Sequence, residues 1–161
     1  MAIRLDPNDA AAYNNRGNVK NKIGQYFEAI SDYDVAIHLD PNDAAAYNNR
    51  GIAKTNLSHP KAAISDYDVA IRLDPNEAAA YNNRGNAKDE IGQYFEAISD
   101  YNEAIRLNPS DVEVYTNRGN VKSELGLADD AKRDYQIALD LVEKVGDDEL
   151  KSEIVEKLEA L

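Results

Sequence analysis

The chain has 161 residues and a formal net charge of −12. An acidic surface repels phosphate backbones and anionic lipid headgroups, so we expect no nucleic acid or membrane partner and instead a neutral to basic protein or peptide. There is no cysteine, which excludes disulfides, thiolate metal sites and cysteine nucleophiles. Because the sequence carries no leader-like segment and no long apolar run, we expect a cytoplasmic protein.

One block of sequence recurs through most of the chain. Asp-Pro-Asn-Asp-Ala-Ala-Ala-Tyr-Asn-Asn-Arg-Gly occupies residues 6–17 and appears unchanged at residues 40–51. The copy at residues 74–85 differs only at Glu77, and a looser copy spans residues 108–119. The copies are evenly spaced, and we call this constant spacing the repeat period. A fixed period of about 34 residues is typical of arrays of helix pairs.

Each repeat is predicted to form two α-helices within one domain of residues 1–161. The repeats are residues 10–43, 44–77, 78–111 and 112–145. Residues 1–9 match the tail of a repeat, so we expect a fragment of a longer array. The polar residue after each proline is the predicted N-cap of the first helix, namely Asn8, Asn42, Asn76 and Ser110. Glycines are predicted at left-handed helix ends, at Gly24, Gly92 and Gly126.

The second repeat differs from the others at the turn between its helices. It has Ser58, His59 and Pro60 where the other copies begin with glycine. We expect Ser58 to cap the following helix, with Pro60 in its first turn. The turn should therefore differ locally without changing the path of the chain.

Charged residues recur at fixed points of both helices. Arg16 and Lys20 lie four positions apart and so share one helix face, while Asp32 lies on the second helix. The pattern predicts an ion pair between Arg16 and Asp32, with the arginine stem packed on Tyr33. The same pair is predicted for Arg50 and Asp66, Arg84 and Asp100, and Arg118 and Asp134.

The repeat pattern ends after Leu141, where no proline follows. The second helix of the last repeat should therefore continue towards Lys144 and end at Gly146. Asp147 or Asp148 can cap a final helix within residues 147–161. Its apolar stripe, formed by Leu150, Ile154, Leu158 and Leu161, predicts a helix that closes the end of the array.

The recurring pattern of Tyr-x-x-x-Gly, then Gly-x-Tyr-x-x-Ala, Tyr, Ala and Pro resembles the tetratricopeptide repeat. The resemblance implies an all-α fold, an α-solenoid of antiparallel helix pairs (a tetratricopeptide superhelix) with a C-terminal capping helix. It also implies a module for protein–protein interaction. Arg16 and its equivalents stand where the family often has leucine, and Lys20 and its equivalents where it often has tyrosine.

The family's concave groove is lined by the first helices, and here it would be rich in asparagine. An amide offers both a donor and an acceptor to the backbone of an extended peptide, and the recurrence of Asn15 in every copy resembles the asparagine ladder of the repeat domain of O-GlcNAc transferase. The alternative is that these amides only bond neighbouring helices. The candidate peptide-binding residues are Asn14, Asn15, Asn18, Asn48, Asn49, Asn82, Asn83, Asn86, Asn117, Asn120, Glu90 and Glu124.

The charge of this groove is predicted to change along the chain. Lys22 makes its early part neutral or basic, whereas Glu90 and Glu124 make its later part acidic. A bound peptide should therefore place its basic end at the later repeats. The carboxylate clamp of chaperone-docking family members is not expected, because its cationic positions hold Asn14, Ala79 and Asn83 here.

No residue pattern indicates catalysis, a metal site or a cofactor. His38 and His59 are isolated, and the Asp-x-Asn-Asp stretches lack the glycine and glutamate of a calcium loop. We therefore expect a binding module that is not an enzyme. The alternative function is a structural scaffold, or a weak homo-oligomer that stacks through an uncapped N-terminal end at Ala2, Ile3 and Leu5.

Overall fold

A computed structural model describes residues 7–161 of the chain. Within this part, the structure contains nine α-helices and no strand. The chain divides into two compact units, Met1–Asn76, of which residues 7–76 are described, and Glu77–Leu161. The apolar start at Ala2, Ile3 and Leu5, and with it most of the predicted repeat tail, lies outside the described residues.

The first unit consists of two helical hairpins. Its helices are α1 (Ala10–Lys22), α2 (Tyr26–Leu39), α3 (Ala44–Asn56) and α4 (Pro60–Leu73). The hairpins pair α1 with α2 and α3 with α4, and α2 packs on α3. The core between the hairpins is formed by Ala29, Tyr33 and Ala53, whose small and flat side chains let the helices approach closely.

The second unit contains two further hairpins and a final helix. Its helices are α5 (Ala78–Asp89), α6 (Tyr94–Leu107), α7 (Val112–Glu124), α8 (Ala128–Val145) and α9 (Asp148–Glu159). One core cluster lies between α6 and α7, and the other joins α7, α8 and α9. The predicted all-α architecture of antiparallel helix pairs is confirmed.

The helix starts correct the predicted N-caps. Asp9, Asp43, Glu77 and Asp111 are the cap residues, in place of Asn8, Asn42, Asn76 and Ser110. The Asp9 carboxylate, for example, accepts a hydrogen bond from the backbone N–H of Ala12 at 3.1 Å. The helices thus begin one position later than predicted, and the carboxylate of each cap satisfies a free backbone donor of the first turn.

The turn in the second repeat also differs from the prediction. Ser58 does not cap α4: its φ of 59° places it in the same left-handed conformation as Gly24, Gly92 and Gly126. His59 is the N-cap residue and Pro60 opens the helix. The backbone N–H of His59 donates to the carbonyl of Lys54 at 2.9 Å, as that of Gln93 does to Lys88 at 2.9 Å. The turn is therefore the same as in the other repeats.

Helix α9 covers the end of the second unit. Gly146 adopts a φ of 77° and ends α8, and the Asp147 carboxylate caps α9 by accepting from the N–H of Leu150 at 3.0 Å. Ile154 is fully buried, and Leu150 and Leu158 pack against the same cluster. Leu161, a predicted member of this stripe, lies beyond the helix and is exposed. No described helix is long and apolar enough to cross a membrane.

Candidate peptide-binding site

A buried aspartate fixes the first helix of each repeat to the second. The Asp32 carboxylate accepts from Arg16 Nη2 at 2.5 Å and lies 2.7 Å from Lys20 Nζ. The predicted arginine–aspartate pair is confirmed in all four repeats, and the lysine completes a triad in each. The orientation of the first helix, which carries the candidate site, is therefore set by charge as well as by packing.

Electrostatics around Asp32 favour the ionised carboxylate. Burial acts to raise its pKa, but the hydrogen bonds from Arg16 and Lys20 and the positive charges of these two residues together outweigh that effect and lower the pKa below the ordinary value. The Arg16 guanidinium lies over the ring of Tyr13, 5.3 Å from its centroid. The aromatic ring beneath the guanidinium is thus that of Tyr13, one turn away on the same helix, whereas the packing of the arginine stem on Tyr33 stays a prediction.

Tyrosine hydroxyls from the second helices hold several of the candidate asparagines. Tyr33 donates to Asn18 Oδ1 at 2.8 Å, Tyr101 to Asn86 Oδ1 at 2.8 Å and Tyr135 to Asn120 Oδ1 at 2.9 Å. In each case the oxygen of the amide is used inside the repeat. The second repeat has Ile52 at this position, and there Tyr67 instead bonds Thr55 at 3.2 Å.

In the first unit, side-chain amides also join α1 and α3, the first helices of its two repeats, which contact each other directly. Asn49 Nδ2 donates to Asn14 Oδ1 at 3.0 Å, and Asn56 Nδ2 donates to Asn21 Oδ1 at 3.4 Å. Both bonds connect residues 35 positions apart. Part of the amide set therefore links neighbouring helices, as the alternative interpretation expected.

In the second unit, side-chain amides join α5 and α7 in the same way, through a larger number of hydrogen bonds. Asn117 Nδ2 donates to Asn86 Oδ1 at 3.1 Å and to Asn82 Oδ1 at 3.4 Å. Asn82 is buried and donates to Glu113 Oε1 at 3.3 Å. Glu113 was not among the predicted site residues, although its separation of 31 positions from Asn82 matches that of Asn117 from Asn86.

The candidate residues differ in how far they reach solvent. Asn15 is exposed and makes no hydrogen bond with the described residues, and Glu90 and Glu124 are exposed as well. The half-buried members are Asn14, Asn18, Asn48, Asn49, Asn83, Asn86, Asn117 and Asn120. We call the amides on α1 and α3 the amide face of the first unit, and those on α5 and α7 the amide face of the second unit.

The linking asparagines keep their acceptor atoms. Asn49 and Asn117 donate through Nδ2, and no described residue donates to their Oδ1 atoms. Within the described part of the chain, no buried side-chain oxygen or nitrogen lacks a hydrogen-bond partner. The two Oδ1 atoms therefore keep contact with solvent, and each can accept a hydrogen bond from a ligand.

Acidic side chains gather beside the amide face of the second unit. Burial, together with the negative charges of Glu124 and Glu90, raises the pKa of Asp89. Hydrogen bonding to the Glu124 carboxylate raises the pKa of Tyr94, a residue that no sequence pattern had associated with the site. Among residues 7–161 no group of histidine, aspartate and glutamate is arranged to hold a metal ion.

Comparison with known proteins gives consistent matches. Family models described as TPR repeat or tetratricopeptide repeat match residues 17–57 and 90–126, residues 1–31 and 67–99, and residues 44–77. A crystal structure of MamA is 30% identical, with a TM-score of 0.83, and the alignment covers 88% of this chain and 82% of that chain. Among curated proteins, no sequence matches significantly.

Two further solved structures are single tetratricopeptide domains. The first TPR of Spaghetti (RPAP3), bound to the HSP90 peptide SRMEEVD, is 29% identical with a TM-score of 0.72, over 78% of this chain and 99% of that chain. The Arabidopsis OM64 TPR domain is 27% identical with a TM-score of 0.70, over 71% of this chain and 95% of that chain.

Proposed function

Because the chain belongs to the tetratricopeptide repeat family, we propose that it is a protein-interaction module whose amide faces bind an extended peptide. The observation that carries this proposal is the pair of solvent-accessible acceptors on Asn49 and Asn117. An extended peptide presents backbone N–H groups at regular intervals, and amide side chains on fixed helices can accept from them. The exposed amide of Asn15 adds both a donor and an acceptor.

Asparagine side chains that are fixed by hydrogen bonds from tyrosines make this surface suitable for binding a peptide. The Oδ1 atoms of Asn18 and Asn120 are fixed by buried tyrosines at 2.8 and 2.9 Å, so these side chains lose little rotational freedom when a ligand binds. Their Nδ2 groups make no hydrogen bond with the described residues. Each is therefore a donor for a carbonyl group of a peptide bound to the amide face of its own unit.

Charge selects the class of peptide. The part of a ligand that contacts the second unit meets Asp89, Glu90 and Glu124, which favour lysine or arginine. The peptide in the RPAP3 structure, SRMEEVD, has three acidic residues. We expect the present chain to reject such a peptide, because it lacks cations at Asn14, Ala79 and Asn83, the positions where the family's carboxylate clamp has them.

A selection from a random peptide library, panned against the full chain, tests the proposal. We expect the selected peptides to share a neutral segment and a basic end. Asn15→Ala should weaken their binding without changing thermal stability, because the Asn15 amide makes no hydrogen bond with the described residues. Asn42→Ala is the matched control: Asn42 is an exposed asparagine of the same unit in the turn before α3, and its removal should leave affinity unchanged.

The charge preference has its own control. Glu124→Gln should weaken the basic-ended peptides, and the loss should shrink in high salt. Glu96→Gln, an exposed change on α6, should not. Selected peptides with acidic ends, or equal affinity in the Asn15 and Asn42 variants, would contradict peptide binding at the amide faces.

A second candidate function is self-association through the first helix. Val19 is 61% exposed and Ile23 is 65% exposed, although both are large apolar residues. Ala53, the equivalent of Val19 in α3, is fully buried. An apolar helix face that is covered in one repeat and open in another favours a partner that covers it.

A further inference from the structure

The exposed apolar side of α1 is a surface that later repeats cover with a neighbouring helix. We call Ala12, Arg16, Val19 and Ile23 the α1 stripe. Their equivalents one repeat period later are Ala46, Arg50, Ala53 and Leu57. In the first unit, Ala53 packs with Ala29 and Tyr33 of α2. In the second unit, Val121, the counterpart of Val19 on α7, is fully buried with Ala97, Tyr101 and Ala104 of α6.

The polar member of the stripe lacks a partner that two of its equivalents have. Arg50 Nη1 bonds Asp34 of α2 at 2.6 Å, and Arg118 Nη1 bonds Asn102 of α6 at 2.5 Å. Among the described residues Arg16 hydrogen-bonds only Asp32, and its side chain is 44% exposed, against 18% for Arg50. The surface that covers the stripe must therefore offer small and aromatic residues together with one polar acceptor.

Helix α8 carries such a surface. Ala131, Tyr135 and Ala138 lie one repeat period after Ala97, Tyr101 and Ala104, so α8 repeats the face of α6 that receives α7. Gln136 is likewise the counterpart of Asn102 and offers an amide oxygen where Arg118 finds its acceptor. The face of α8 thus has the residues that receive a helix with the α1 stripe.

Helix α9 occupies that face. Ile154 is fully buried in one cluster with Ala131, Tyr135, Ala138 and Val142 of α8. Helix α9 has no counterpart of the Arg16 triad, and the described ion pair between it and α8, Lys151 with Glu143, joins two exposed side chains. Such a surface pair contributes little to stability.

From these contacts we infer that the α1 stripe of one chain docks on the α8 face of a second copy, and that α9 blocks this association by covering α8. This inference rests on the second candidate function and is independent of peptide binding. The contact is heterologous, because it joins two different surfaces, α1 of one copy and α8 of the next. Release of α9 therefore frees one surface on each chain for the stripe of another copy, so association rises with concentration.

Full-length variants test the inference by analytical ultracentrifugation. Ile154→Glu places a charge in the cluster under α9, and we expect it to release α9 and to make the average mass rise with concentration above the 17.8 kDa of one chain. Ser152→Glu adds the same charge to the exposed side of α9 and should leave a monomer. Circular dichroism should show that Ile154→Glu loses no more helix than the 12 residues of α9.

A second substitution identifies the docking surface. Val19→Glu, added to Ile154→Glu, should restore the monomer, whereas Phe27→Glu, added in the same way, should not. Phe27 is a suitable control because it is 68% exposed and its equivalent Phe95 is 71% exposed, so its exposure does not depend on a missing neighbour.

A mixing experiment determines the polarity of the contact. The Val19→Glu, Ile154→Glu double variant has an open α8 face and no working stripe, while wild type has a stripe and a covered α8. Their mixture should contain a complex of one chain of each and nothing larger. Three results would each overturn the inference. The Ile154→Glu variant could still associate after Val19→Glu is added, or it could stay monomeric although α9 is released. The third such result is that the mixed complex does not form. Wild type that associates through Val19 with α9 in place would retain the second candidate function and refute the role of α9.

Discussion

Gly85→Ala tests whether the recurring glycine of each first helix is set by a close approach to a tyrosine ring. An added Cβ at Gly85 would lie 2.7 Å from Cε1, 3.0 Å from Cδ1 and 3.1 Å from Cζ of Tyr101. Carbon atoms pack at about 3.5–4.0 Å, so the overlap is substantial. The ring has no room to move, because Tyr101 is 1% exposed and its hydroxyl is held by Asn86 at 2.8 Å.

The expected cost follows from two opposing effects. Overpacking a core costs about 1–3 kcal/mol, whereas alanine favours a helix over glycine by about 1 kcal/mol. We therefore expect Gly85→Ala to destabilise the second unit by up to about 2 kcal/mol, measured by urea unfolding. Ser99→Ala, an exposed change on α6, should stay within about 0.5 kcal/mol of wild type.

A double-mutant cycle locates the cause of the loss. Tyr101→Leu removes the ring atoms that the new Cβ would strike, so in that background Gly85→Ala should be neutral or stabilising by up to about 1 kcal/mol. Equal costs of Gly85→Ala with and without the Tyr101 ring would refute the argument. So would a Gly85→Ala protein that is more stable than wild type.

Three further predictions concern single sites. Asp66→Ala leaves Arg50 without its buried carboxylate and should destabilise the first unit by about 3 kcal/mol, whereas Asp34→Ala removes the exposed partner of the same arginine and should cost at most about 1 kcal/mol in thermal unfolding. Ser58→Gly should stabilise the protein by about 1 kcal/mol because it relieves a left-handed serine, and Ser58→Ala should give no such gain. Burial raises the pKa of Tyr33 from its ordinary value of 10.0 to about 12, so the stability that this group contributes is complete below pH 10 and is lost as pH rises towards 12. Tyr33→Phe should weaken that alkaline loss, measured as thermal stability against pH.

The fold was predictable because the repeat period and the helical pattern agree at every copy. The proline and the small residues recur in every copy and the left-handed glycine in three of the four, and all predict the same helix pair. The pairing of Arg16 with Asp32 could be predicted because their spacing is fixed within a hairpin of known form. The end of α8 at Gly146 follows from the same reasoning, since glycine tolerates the left-handed conformation.

Finer details depend on geometry that the sequence does not contain. Asn8 and Asp9 are both good N-cap residues, and only the start of the helix decides between them. Ser58 adopts the left-handed conformation because its turn forms the same hydrogen bonds as the turns of the other repeats. The sequence did not indicate this, since serine is not a residue type typical of that conformation. Which atom of an amide is hydrogen-bonded within the protein, as Nδ2 is in Asn49, depends on the positions of neighbouring helices and could not be predicted from the sequence.

The central claim is that the asparagine amides of the first helices contact a peptide. It can be tested by recording the side-chain amide signals of the full chain by NMR during titration with a selected basic-ended peptide. We expect the amide signals of Asn15, Asn49 and Asn117 to shift as the peptide binds, while that of Asn42 stays in place. Saturating binding that leaves those three signals unmoved, or that shifts only residues of the second helices, would contradict it.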